Sequence, residues 1–293
     1  EVSRTRTFFR TIQFRVDVFK RRRCSSGLQE SVKWYRLAAE QGHSLSQHNL
    51  GLKYANGKGV LQDYKEAIKW YKLAAYQGVS SSQYNLGKMY ANGKGVIQDY
   101  KEAVKWYRKS AEQGHFSGQF SLGNMYANGQ GVVQDSKEAV KWYRLAAEQG
   151  DSTAQYNLGL MYVNGQGVVQ DYKEAVKWTR KSAEQGFPQS QYNLGLMYVN
   201  GQGVVQDSKE AVKWYRKSAE QGYVEAQYNL GGMFYKGQEG VLKDYVMAHM
   251  YWNIAAVSGH KSAIKNRGIV EEVMTSSQLE KAQDLAREWM RTH

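Results

Sequence analysis

The chain of 293 residues contains one cysteine, one proline and six histidines. Cys24 alone can neither form an internal disulfide nor build a thiolate metal site. The histidines, His43, His48, His115, His249, His260 and His293, are scattered, and none has a partner at zinc-ligand spacing. No apolar run approaches the ~18 residues of a membrane-crossing helix, and mean hydropathy is −0.68. No G-x-x-x-x-G-K-[ST] phosphate loop occurs. Glycine and proline together make about a tenth of the residues, too few for a disordered or collagen-like chain. These absences point to a soluble protein with no metal and no cofactor.

Glycine is nevertheless plentiful, at 29 residues, and most of it lies on a lattice. Leu-Gly occurs at Leu50-Gly51, Leu86-Gly87, Leu122-Gly123, Leu158-Gly159, Leu194-Gly195 and Leu230-Gly231, always 36 residues apart. Trp34, Trp70, Trp106, Trp142, Trp178 and Trp214 keep the same step. A fixed period of this size means stacked supersecondary units and overrides the two domains that length alone suggests.

The unit at 79–114 shows the grammar. Ser82, Leu86, Met89 and Tyr90 fall at i, i+4, i+7 and i+8, which is one helix face. Asn92-Gly93 and Gly95 end that helix, since glycine enters positive φ without steric cost. Asp99 is an N-cap for a second helix, and Glu102 suggests a capping-box-like start. That helix turns Ala103, Val104, Trp106, Tyr107 and Ala111 one way and Lys101, Lys105 and Arg108 the other. Gly114 closes it. Neither helix buries its apolar face alone, so the units must stack into an all-α solenoid of antiparallel helix pairs.

The pattern A/S-x-x-x-L-G-x-x-Y…G-x-G-V-x-x-D-x-x-x-A-x-x-W-Y-x-x-A/S-A-x-x-G resembles the Sel-one-like repeat family, relatives of the tetratricopeptide repeats. It covers six full units, 43–78, 79–114, 115–150, 151–186, 187–222 and 223–259, the last lengthened by Glu239. The resemblance implies a right-handed α/α superhelix acting as an adaptor or scaffold for other proteins.

Residues 28–42 read as a second helix without a first. Ahead of them, residues 1–27 form a basic arm. Its first 23 residues hold Arg4, Arg6, Arg10, Arg15, Lys20, Arg21, Arg22 and Arg23 against Glu1 and Asp17. Alternation over 12–18 is strand-like. A nucleic-acid or anionic-lipid arm is one reading, and a solvated leader on a truncated first repeat is the preferred one. The chain starts without Met and shows no signal-peptide pattern, as in an incomplete reading frame. Residues 260–293 read as a helical cap with a Ser277–Glu280 capping box, followed by Leu279, Ala282, Ala286 and Trp289 at helical spacing. The cap is similar to the closing segment of bacterial members of the family.

Opposite the core face of the first helices lies a second stripe, which in a tetratricopeptide-like superhelix lines the concave groove. It carries an aromatic column, His48, Tyr84, Phe120, Tyr156, Tyr192 and Tyr228, with Lys88 beside it. Next to it runs an amide column, Asn49, Asn85, Asn157, Asn193 and Asn229, with Ser121 in the third unit. Tyrosine offers rigid contact area, and asparagine pairs with either amide direction of an extended peptide. A protein or peptide segment is therefore the expected partner. The competing reading is that these side chains only fill gaps between neighbouring helices.

The second helices form a basic ridge: Lys65/Lys69/Lys72, Lys101/Lys105/Arg108, Lys137/Lys141/Arg144, Lys173/Lys177/Arg180 and Lys209/Lys213/Arg216. It makes a polyanion or membrane surface the alternative partner, one with steep salt dependence. Glu112, Glu148, Glu184 and Glu220 are expected to pair with it locally, which favours a solvated face. A third, weak reading comes from cysteine-rich relatives linked to β-lactam hydrolysis, because Ser262 and Lys265 fit S-x-x-K. Chance alone supplies about two such matches, and K-T-G, S-D-N and the relatives' cysteine pairs are missing. No catalytic residue is assigned.

Overall fold

The computed structural model describes residues 25–238 and 240–293. The basic arm's residues 1–24, with their strand-like stretch, and Glu239 lie outside the described residues. Among the described residues there are fifteen helices and no strand. The helices are α1 (Ser25–Glu40), α2 (Ser44–Asn56), α3 (Tyr64–Tyr76), α4 (Ser80–Asn92), α5 (Tyr100–Glu112), α6 (Phe116–Asn128), α7 (Ser136–Glu148), α8 (Ser152–Asn164), α9 (Tyr172–Glu184), α10 (Pro188–Asn200), α11 (Ser208–Glu220), α12 (Val224–Lys236), α13 (Tyr245–Val257), α14 (Lys261–Glu271) and α15 (Ser276–Thr292). The chain divides into two compact units, one running to Ala146 and the other from Ala147. None of the described helices is long and apolar enough to cross a membrane.

Even-numbered helices up to α14 are first helices of a pair, and odd-numbered ones up to α13 are second helices. In the first unit α3 packs on α2 and α4, and α5 on α4 and α6; in the second, α11 packs on α10 and α12, and α13 on α12 and α14. The reason lies in the lattice. Each Leu-Gly leucine is fully buried, and the glycine beside it brings the two helices into contact. A Cβ on Gly87 would stand 2.7 Å from the Tyr107 ring, so the tyrosine lies flat against the first helix only because that side chain is missing. Trp106, Tyr107, Val104, Ala103 and Ala111 are all buried, as their spacing predicts. Each large apolar side chain so buried contributes roughly 1.5–3 kcal/mol.

The loops obey the same logic. Gly93 ends α4 in the left-handed region, at φ 64°, with its N–H on the Met89 carbonyl. Gly95 has φ 75°, and a Cβ there would meet the Tyr64 Cβ at 2.7 Å and the Tyr64 carbonyl oxygen at 2.9 Å. The loop of one repeat thus rests on the start of the preceding second helix. Asp63 then accepts from the Lys65 and Glu66 N–H groups at 2.8 and 3.1 Å, and Asp99 from Glu102 N–H at 3.0 Å. Such caps are worth about 1 kcal/mol each.

A buried glutamine ladder ties neighbouring repeats together. Gln47, Gln83, Gln119, Gln155, Gln191 and Gln227 are all buried. Each donates its side-chain amide to an alanine carbonyl at the C-terminus of the preceding second helix; for Gln83 the acceptor is Ala75 at 3.1 Å, and for Gln191 it is Ala183 at 3.1 Å. Four of them, Gln47, Gln83, Gln155 and Gln191, accept in turn from the exposed Gln77, Gln113, Gln185 and Gln221 at 2.6–2.8 Å. Each of these carbonyls also accepts from the N–H of the glycine three residues on, as Ala75 does from Gly78 at 3.1 Å, so the glutamine adds a second donor at the helix end.

At the C-terminus α15 covers α13. Met250, Tyr251 and Trp252 are buried, and Trp289 meets Tyr251 edge to face at 5.6 Å. That explains why Met247 and Met250 stand where the other repeats carry the Glu and Lys of the ridge. The capping box at α15 is formed by Thr275 and Gln278, not by Ser277 and Glu280. The two pairs compete for one helix start, and the helix begins two residues earlier, at Ser276.

Candidate functional site

Every residue of the aromatic and amide columns lies on a first helix. In the first unit these are His48, Asn49, Tyr84, Asn85, Phe120 and Ser121, all half-buried, with Lys88 exposed beside them. In the second they are Tyr156, Asn157, Tyr192, Asn193, Tyr228 and Asn229, again half-buried. Several of these rings are held from behind by a tyrosine of the second helix: Tyr84 on Tyr107 at 6.0 Å, Phe120 on Tyr143 at 5.8 Å, Tyr192 on Tyr215 at 5.6 Å.

They are also held by the residue that opens the next repeat. Tyr84 stacks on His115 at 5.4 Å and 28°, and Tyr228 on His260 at 4.4 Å and 22°. Tyr156 meets Phe187 at 5.3 Å and Tyr192 meets Tyr223 at 5.2 Å. The amide column works partly for the aromatic one. Asn229 donates to the Tyr192 and Tyr215 hydroxyls at 3.4 Å each, and Tyr156 bonds with Asn193. Ser121 takes that role toward Tyr107. Burial raises the Tyr156 and Tyr192 phenols above their ordinary value, while these hydrogen bonds pull the other way. His48 bonds the Ser82 hydroxyl at 2.8 Å, and burial first, then His115, lowers its pKa. The gap-filling role and the exposed-face role therefore coexist in the same residues.

Asn266 is a further member of the column. It lies 37 residues after Asn229, because Glu239 lengthens the sixth repeat, and it donates to the Tyr228 hydroxyl at 3.4 Å. Allowing for that insertion would have placed it.

The basic ridge is exposed but internally paired. Its ion pairs join Glu66–Lys69, Glu102–Lys105, Glu138–Lys141, Glu174–Lys177 and Glu210–Lys213, three residues apart. Glu112, Glu148, Glu184 and Glu220 are not the partners among the described ion pairs; Arg108 and Arg180, four residues before Glu112 and Glu184, donate to tyrosine hydroxyls instead. Lys109, Lys181 and Lys217 lie over the Trp106, Trp178 and Trp214 rings at 4.6–4.8 Å. Arg108 and Arg180 donate to the Tyr126 and Tyr198 hydroxyls.

Each loop also holds an aliphatic residue in solvent. Leu61, Ile97 and Val133 in the first unit, and Val169, Val205 and Leu242 in the second, are 88–91% exposed. Spacing alone does not reveal this edge. Ser262 and Lys265 sit exposed in the first turns of α14. Among the described residues no group of three or more His, Cys, Asp or Glu is arranged to hold a metal ion.

Paired helices on a 36-residue step, glycine contacts between them and a rigid polar-aromatic face define an α/α repeat protein. The family model of the Sel1 repeat matches residues 27–43, 44–79, 80–115, 117–151, 152–187, 188–223 and 224–260. The chain belongs to the Sel1 repeat family. It is similar to c5321, described as a protective antigen present in uropathogenic Escherichia coli strains displaying an SLR fold, with 35% identity and a TM-score of 0.69 over 100% of this chain and 71% of that one. It is also similar to a Sel1 repeat protein from Oxalobacter formigenes, with 33% identity and a TM-score of 0.71 over 83% of this chain and 96% of that one. A comparison with curated proteins finds no match. Sel1 repeats are typically scaffolds for protein–protein interaction and are generally non-catalytic.

Proposed function

We propose that the first-helix face of each unit is a groove that binds segments of partner proteins, without catalysis. One observation carries this reading: every column ring packs against at least one further ring, and Tyr84 and Tyr192 against two, yet all remain half open to solvent. Rigid tyrosines lose little entropy when a partner covers them. The residues assigned are His48, Asn49, Tyr84, Asn85, Lys88 and Phe120 in the first unit, and Tyr156, Asn157, Tyr192, Asn193, Tyr228 and Asn229 in the second. The ridge is the less favoured surface, since the middle lysine of each triad already has a carboxylate and Arg108 and Arg180 already have phenols to interact with.

The test is affinity capture with the intact chain and with a Tyr156→Ala, Tyr192→Ala, Asn193→Ala variant, at low and raised salt. Capture should vanish in the variant, with helicity retained by circular dichroism, and should persist at raised salt. Unchanged capture by the variant, or loss with salt alone, contradicts the groove.

A further inference from the structure

The repeats are nearly identical, so a recurring residue reports copying as much as purpose. Departures from the pattern are more informative, and four of them converge on one place in the second unit. Gly232 stands where the other repeats have Leu52, Lys88, Asn124, Leu160 and Leu196. Tyr235 replaces alanine or valine, Lys236 replaces an asparagine present in five repeats, and Trp252 replaces Tyr215 and its equivalents. All four line a cavity of about 440 Å³ between α10, α12 and α14, together with Leu196, Val199, Met233, Ile269 and the column residues Tyr228, Asn229 and Asn266.

Gly232 is the key to it. A Cβ on the lattice glycine next to it, Gly231, would stand 2.5 Å from the Trp252 ring, but a Cβ on Gly232 would meet nothing within 4 Å. A mid-helix glycine weakens its helix, and no packing here requires one. What its bareness does is keep the cavity open, where a leucine would fill it.

The lining then defines the occupant. Its walls are mostly apolar and aromatic, and among the described lining residues Lys236 alone is charged. The Tyr228 hydroxyl accepts from Asn266 at 3.4 Å, which leaves its own proton to donate. The Asn229 amide nitrogen is directed to Tyr192 and Tyr215, which leaves its oxygen to accept a peptide N–H. The column of the second unit leads into this space through Tyr228 and Asn229. The volume falls in the lower part of the ~300–1,000 Å³ range of ligand sites.

We infer that this cavity receives the carboxy-terminal residue of a partner chain when that residue is large and apolar. The side chain lies over Gly232 between Tyr228, Tyr235 and Trp252, and the terminal carboxylate lies on the Lys236 ammonium and the Tyr228 hydroxyl. The inference rests on the groove reading and adds to it an end point and a ligand class.

The experiment is titration of the intact chain with a fluorescein-labelled peptide, Gly-Ser-Ala-Ser-Ala-Phe, as the free acid and as the carboxy-terminal amide, with free N-acetylphenylalanine as a third arm. The amide should bind about ten-fold more weakly than the acid, as should the acid to a Lys236→Ala variant. Gly232→Leu should abolish binding while leaving the melting temperature unchanged or raised, so that loss is not unfolding. Equal binding of acid and amide, or binding unaffected by Gly232→Leu, overturns the inference. So does the free amino-acid derivative matching the peptide, which makes the occupant a small acid, and so does no binding at all. The Tyr156→Ala, Tyr192→Ala, Asn193→Ala variant separates the two readings. If it still binds the peptide and Gly232→Leu does not, the cavity stands and the groove fails. If it loses captured partners while amide and Gly232→Leu are silent, the groove stands and the cavity fails.

Discussion

The glutamine ladder makes a prediction whose size follows from an internal control. Gln191 is buried, donates to the Ala183 carbonyl at 3.1 Å and accepts from Gln221 at 2.8 Å. Gln227 is equally buried and donates to Ala219 at 3.2 Å, but its side-chain oxygen has no partner. The cause is visible one repeat on: Ser258 occupies the position of Gln221 and is too short to reach back. Replacing either glutamine by leucine adds similar apolar burial and removes one amide-to-carbonyl bond, so those effects cancel in the difference. Gln191→Leu also removes a second bond, worth about 0.5–1.5 kcal/mol, whereas Gln227→Leu removes an unsatisfied acceptor that costs about 1–3 kcal/mol. Gln191→Leu should therefore be more destabilising than Gln227→Leu by about 1.5–4.5 kcal/mol. Ser258→Gln should stabilise by about 1 kcal/mol by supplying the missing donor. Urea unfolding gives the midpoints, and amide exchange in α10 to α13 shows whether the change is local, which matters in a repeat array. Equal costs for the two leucine variants, or no gain from Ser258→Gln, refute the reasoning.

Three further outcomes are expected. His43 and His115 cap α2 and α6 by accepting from Ser46 and Gly118 N–H through Nδ1, which requires the neutral ring, and burial lowers both pKa values. A lowered folded pKa gives stability that is intact above the unfolded value of about 6.5 and lost as pH falls through the folded one. The melting temperature should thus drop between pH 7.5 and 5, and less so in a His43→Asp, His115→Asp variant, aspartate being the cap that the next repeat uses at Asp151; equal slopes contradict this. Gly95→Ala should cost at least about 1–3 kcal/mol, through positive φ and the Tyr64 contact together, and a neutral result in urea unfolding would be incompatible with the loop packing. Ile97→Ser should change stability by no more than about 0.5 kcal/mol, and loss of partner capture in that variant would move the binding surface from the groove to the loop edge.

The helices, their glycine stops and their aspartate caps were legible because a 36-residue register repeats each signal many times. The buried glutamines repeat as regularly, but nothing in their type or spacing marks them as core. Glutamine three residues before a leucine looks like helix surface until the preceding helix end, eight residues back, is brought over it. Thr275 and Ser277 each start an S/T-x-x-E/Q pattern, and only packing of α15 selects the first. Asn266 was hidden by the one-residue shift at Glu239. Gly232 breaks the repeat pattern, but sequence shows a missing side chain and not the space beyond it. The columns share the first helices, as their spacing predicts, while their internal hydrogen bonds, which join residues 14 to 38 positions apart, belong to tertiary structure alone.

The central claim is that partners contact the first-helix face. Photo-crosslinking tests it most directly, with a photoreactive side chain placed at Lys88 or Asn157 on that face and, in separate chains, at Lys105 on the ridge or Ile97 on the loop edge. The groove predicts one partner band crosslinked from Lys88 and Asn157 and none from Lys105 or Ile97. Crosslinks arising from Lys105 or Ile97 while Lys88 and Asn157 stay silent would contradict it.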